Sequence, residues 1–149
     1  KFLCILQFLH QVIDHCTIYI LIAGTYTPIA LCALRPAYPR LAWSLLAAEW
    51  GTAAVATVFS AIDHKKFHAV EMTAYLVMGW LCVAASRPVV ECLSREGFGW
   101  LLAGGVAYTL GAVLYGLGRK KNPIYHTVFH VFVDIGSILH AVCVLCYVL

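Results

Sequence analysis

The sequence predicts an all-α, polytopic membrane helix bundle with five transmembrane helices. Three observations carry this. Of 149 residues, 62% are hydrophobic and 11% charged, and mean hydropathy is +0.86. A soluble domain holds roughly 45–50% apolar and about 25% charged residues. Most of the charged residues also fall in short punctuations between long apolar stretches. Finally, no alternating ten-residue segments of the kind a transmembrane β-barrel needs are visible. Ten basic residues against seven acidic give a net charge of +3, too little for a surface that tracks phosphates, so nucleic-acid binding is excluded.

The apolar stretches run over 12–34, 41–62, 69–86, 98–117 and 125–149. Each is about 18–25 residues, enough to cross a hydrocarbon core of roughly 30 Å. In the first, Pro28 follows Thr25-Tyr26-Thr27 and is expected to kink the helix, with threonine hydroxyls occupying freed carbonyls. The connection from Arg35 to Arg40 holds two prolines, and Trp43 then opens the second span as an interfacial aromatic. Asp63 to His68 is a polar connection before the third span, and Arg87-Pro88 through Gly97 is another before the fourth. Trp100 opens the fourth span, where Gly104, Gly111 and Gly118 form one stripe for close helix approach. Gly118 through Pro123 leads to the fifth.

Successive connections alternate sides. Lys1, Lys65, Lys66, Arg119, Lys120 and Lys121 fall on one side, and Arg35, Arg40, Arg87 and Arg95 on the other. The positive-inside rule then puts Lys1 in the cytoplasm and Leu149 outside. The chain starts at Lys1 without a Met or a signal peptide. It is expected to be one integral membrane domain over 1–149, incomplete at its N-terminus. Cys4, Cys16, Cys32, Cys82, Cys92, Cys143 and Cys146 read as small hydrophobes.

Ionisable side chains inside spans are costly and need a reason. His10, Asp14 and His15 open the first span, and Glu49 lies in the second, where a bond across helices is expected. Glu71 opens the third, where its carboxylate is expected to snorkel to the interface. His64 and His68 belong to a polar loop. His126, His130, Asp134 and His140 lie in the fifth span. His126 and His130 are one turn apart, about 40° in rotation and roughly 6 Å in rise, so both imidazoles project from one face. That spacing suits a divalent metal. Asp134 continues the stripe, with Ser137 close to it. His140 is about 15 Å deeper than His130 and falls outside such a site.

The first and fifth spans start on the same side, so Asp14 lies at the depth of the histidine pair. If the two helices are neighbours, a carboxylate faces two imidazoles. It then either binds a metal directly or holds a metal-bound water and takes its proton.

Two stretches resemble a known family. One is Ile13-Asp14-His15-Cys16-Thr17-Ile18-Tyr19 running on to Ala23-Gly24-Thr25-Tyr26-Thr27-Pro28. The other is Tyr125-His126-Thr127-Val128-Phe129-His130-Val131-Phe132-Val133, followed by Gly136-Ser137 and His140. Together they are similar to the bacterial haemolysin III-like proteins, relatives of the progestin and adipoQ receptor family within the alkaline ceramidase superfamily. The resemblance implies a seven-helix core, of which this chain holds the last five helices. It implies zinc as cofactor, with His126 and His130 as metal ligands and Asp14 as the catalytic group orienting a metal-bound water. The third family histidine would precede Lys1. Asp134 departs from the family, where that position is usually apolar.

The implied activity is hydrolysis of a lipid amide in the bacterial cytoplasmic membrane, with membrane lipids as partners. The alternatives are a receptor-like or membrane-homeostasis protein with a structural metal, a proton path along Asp14, Glu49 and Asp134, and, weakest, a cytolysin.

Overall fold

The computed structural model describes residues 2–118 and 124–149, with side chains over 12–62, 69–118 and 124–149. Among these residues there are helices and turns and no strand. Helix α1 spans Phe2–Pro28 and continues as a π-helical segment, Ile29–Leu34. Helix α2 covers Pro39–Ala84, α3 covers Ser86–Gly118 and α4 covers Ile124–Tyr147.

Although α2 is helical throughout, it holds two apolar arms, Pro39–Ile62 and Ala69–Ala84. The Ser60 hydroxyl donates to Glu71 Oε1 at 2.7 Å. Eleven residues of straight helix would separate these positions by about 16 Å, so the arms fold back side by side. Four segments of the described residues are long and apolar enough to span a membrane: Val12–Leu34, Pro39–Ile62, Ser86–Gly118 and Ile124–Tyr147. The fifth, Ala69–Ala84, is shorter, and this corrects the expectation of five full spans. Its helix ends at Ala84 because Ala85 leaves helical geometry at φ −106°, ψ 25°. The arm thus rises about 24 Å against a core of about 30 Å.

The connection from Arg87 to Gly97 is also helical rather than irregular. Pro88 falls in the first turn of α3, where its missing N–H costs no intrahelical bond. The break comes instead at Ser94, with φ 69° and ψ 169°. Ser94 Oγ then accepts the N–H of Gly97 at 3.4 Å, capping the helix that resumes.

At Pro28 the helix changes form, but neither threonine hydroxyl takes the freed carbonyl. The proline's missing donor frees the carbonyl of Gly24, and the register widens directly after it into the π-helical turn, closed by Arg35 N–H to Ala30 O at 2.9 Å. The threonine hydroxyls bond carbonyls just before the freed one. Thr25 donates to Ile22 O and Thr27 to Ala23 O, each at 2.8 Å.

The core is rich in small residues and tyrosines, as expected where lipid offers no hydrophobic drive for helix association. Tyr26 donates to Gly79 O and Tyr75 to Tyr108 O, while Tyr108 meets Ser137. Large apolar residues such as Ile13, Val58, Val113 and Leu145 point outward. The glycine stripe of α3 faces α4. A Cβ at Gly104 would strike the His140 ring, one at Gly111 would lie 2.7 Å from Phe132 Cβ, and one at Gly118 would strike Tyr125. Among the described cysteines none is paired; Cys143 donates to Gly97 O at 3.2 Å.

Candidate metal centre

The buried stripe of α4 is Phe129, Val133, Gly136, His140 and Cys143. Phe129 packs on Tyr75 and Tyr115, with ring centroids 5.6 and 5.3 Å away. This anchors the rotation of α4. His126 and His130 lie on a face beside that stripe, turned to α1. Asp14 lies near the start of the apolar part of α1.

The three side chains meet. Asp14 Oδ2 is 3.4 Å from His126 Nε2 and 3.1 Å from His130 Nε2. The two Nε2 atoms are 3.2 Å apart, with the rings edge to face. All three groups are partly exposed, His126 at 44% and the other two near 30%. The site is therefore open at one end of the bundle. Tyr115 packs on the His126 ring at 5.7 Å. Sequence reasoning missed it, although it lies one turn beyond Gly111 on the stripe that faces α4.

The donor chemistry fits a small divalent ion. Bonds of roughly 2.0–2.1 Å in a tetrahedron put ligand atoms about 3.3 Å apart, and the edges here are 3.1–3.4 Å. Among the described residues, no fourth His, Cys, Asp or Glu joins the group.

The other polar candidates lie elsewhere. Asp134 is exposed and stands apart from the three groups. Ser137 donates to Val133 O at 2.9 Å and meets Tyr108. His140 is fully buried, with Nε2 3.2 Å from Leu101 O and Nδ1 3.5 Å from Thr25 Oγ1. His15 is buried as well. Glu71 does not snorkel: it is 1% exposed, and its Oε1 accepts from Ser60 within the bundle. Glu49 makes no bond across helices; both its oxygens are buried without a hydrogen-bond partner among the described residues. The side chains of His10, His64 and His68 lie outside the described residues, as do Lys1, Lys65, Lys66 and Arg119 to Lys121, which carry the charge argument for orientation.

These features define an integral membrane helix bundle with an Asp-His-His cluster at one end. Residues 6–141 match the family described as haemolysin-III related. The chain is 41% identical to "Hemolysin-3" of Bacillus cereus over 95% of its own length and 62% of that protein's. It is 41% identical to the "Hemolysin-3 homolog" of Bacillus subtilis, over 92% and 62%. It is 30% identical to the human "Monocyte to macrophage differentiation factor", over 85% and 50%. The chain belongs to the haemolysin III family, and the mammalian match supports its relationship to the progestin and adipoQ receptor family. It spans about three fifths of the length of the bacterial relatives it matches. No solved structure matches it.

Proposed function

We propose that the protein is a zinc-dependent membrane hydrolase acting on an amide within a lipid. The observation that carries this reading is the meeting of Asp14, His126 and His130 within 3.1–3.4 Å of one another. His126 and His130 hold the metal through Nε2. Zinc in such a site polarises a carbonyl and lowers the pKa of a bound water towards ~7. Asp14 is the proton acceptor: one carboxylate oxygen faces both imidazoles, and the group is exposed enough to exchange protons with water. The outward apolar faces of α1 and α4 flank the cluster, so an acyl chain approaches from the bilayer while its polar group meets the metal ligands. The chain acts as a single membrane domain, with the Lys1 end cytoplasmic under the positive-inside rule, in a bacterial cytoplasmic membrane.

The test uses purified full-length protein. Metal content is measured for wild type, His126→Ala and His130→Ala, and turnover of a ceramide-like amide is followed through chelation and zinc addition. Stoichiometric zinc lost in both variants, with turnover that chelation abolishes and zinc restores, is the expected result. Zinc retained by both variants overturns the ligand assignment.

A second reading is a receptor-like or membrane-homeostasis protein whose metal is structural. One observation favours it: the cluster joins the first described helix to the last. Zinc without turnover would select it. The relatives' printed name suggests a cytolysin, but a constitutive bundle of apolar helices offers no soluble precursor form.

A further inference from the structure

At the opposite end of the bundle, α3 and α4 form a shallow, open groove of about 430 Å³ lined by Glu96, Gly99, Trp100, Ala103 and Tyr147. Along α4, Tyr147 is seventeen residues beyond His130, or about 25 Å at helical rise, so the groove is separate from the metal centre. It is built by local features. The break at Ser94 starts a new helical stretch, and Glu96 lies in its first turn. Gly97 lets Tyr147 lie against the helix, since a Cβ there would be 3.1 Å from Tyr147 Cβ and Cγ. The Tyr147 hydroxyl then donates to Glu96 Oε2 at 3.2 Å, fixing the carboxylate beside the aromatic walls.

Among the described residues, no lysine or arginine comes within ion-pair distance of Glu96. Among the described residues, none donates to its other oxygen, Oε1, which is open to the groove. The groove therefore offers a net negative charge, an indole that is 37% exposed and a phenol. Ring faces attract cations within about 6 Å of their centroids, and aromatic walls beside a carboxylate are the chemistry that receives alkylammonium groups. Trp and Tyr at a helix end lie at headgroup depth in a membrane. Ala103, one turn deeper than Gly99, extends the groove towards the apolar interior.

We propose that this groove binds an organic ammonium group, held by the Glu96 carboxylate and the faces of Trp100 and Tyr147. The same chemistry occurs in zwitterionic lipid headgroups and in free choline-like amines.

The test is native mass spectrometry of the full chain, equilibrated with equal amounts of phosphatidylcholine, phosphatidylethanolamine and phosphatidylglycerol. The ammonium lipids are expected to be retained about tenfold over phosphatidylglycerol. Glu96→Gln and Trp100→Leu abolish that preference. Gly99→Leu does the same by filling the groove from a position with nothing within 4 Å, so its folding is preserved. Glu91→Gln, at the carboxylate that takes the Tyr38 hydroxyl instead, keeps the preference. A second arm titrates choline chloride into lipid-free detergent. Glu96-dependent choline binding assigns the site to free amines as well, and retention of lipid alone assigns it to headgroups; either outcome supports an ammonium site. Equal retention of all three lipids, or unchanged preference in Glu96→Gln and Gly99→Leu, overturns it.

Discussion

Replacing Gly111 by alanine links packing to the candidate metal centre. The new Cβ would lie 2.7 Å from Phe132 Cβ. That neighbour is fixed to the backbone and cannot rotate away. Ordinary contact starts near 3.4 Å, so α3 and α4 must separate locally by about 0.7 Å. Overpacking of this kind costs about 1–3 kcal/mol. Against it stands a gain of up to about 1 kcal/mol from removing a helical glycine.

Gly116→Ala supplies the control, because nothing lies within 4 Å of its Cβ and only the gain applies. The two variants should thus differ by the overpacking term, about 1–3 kcal/mol in favour of Gly116→Ala. The displacement acts on the turn of α4 that follows His126 and includes His130. A misplacement near 1 Å can cost about 100-fold in a reaction that depends on positioning. Reversible unfolding in mixed micelles measures stability, and zinc affinity with amide turnover measures the site. Equal stability in the two variants would refute the reasoning about the helix contact. A destabilised Gly111→Ala with wild-type zinc affinity and turnover would refute the link to the site.

Two further changes test other features. At Ser94 the positive φ carries a strain of about 1–3 kcal/mol that glycine does not feel, while Ser→Gly at a cap costs only a few tenths of a kcal/mol. Ser94→Gly should therefore raise stability, whereas Ser94→Ala keeps the strain, loses the cap and lowers stability by about 1 kcal/mol; unfolding midpoints that rank alanine above glycine contradict this. Glu49 is buried, and neither of its oxygens has a partner among the described residues, so Glu49→Met should raise stability by roughly 1–3 kcal/mol. A lower unfolding midpoint for Glu49→Met would show that the carboxyl is satisfied in the folded protein.

The bundle and its cluster were largely legible in the sequence because both rest on periodicity. Apolar length identified the rods, and helical spacing put His126 and His130 on one face. The motif around Asp14 matched the family, and depth along the helices put that carboxylate level with the pair. What was not legible depends on contacts between helices. Ser60 sits eleven residues from Glu71, so nothing local shows that one satisfies the other; this is why the carboxylate was expected at the interface. Glu49 failed for the converse reason, since burial does not supply a partner. The helical stretch before Ser94 was hidden by Arg87-Pro88, which reads as a breaker yet suits a first helical turn. The groove around Glu96 needed Gly97 and Tyr147, fifty residues apart in the chain.

The Asp-His-His cluster takes its carboxylate from the first described helix and its imidazoles from the last. During synthesis, the acidic half is in place long before the nitrogen pair leaves the ribosome. A nascent chain halted before α4 therefore lacks both imidazoles of the cluster. The meeting of the three groups would then report that the described helices between them have reached their places in the bilayer.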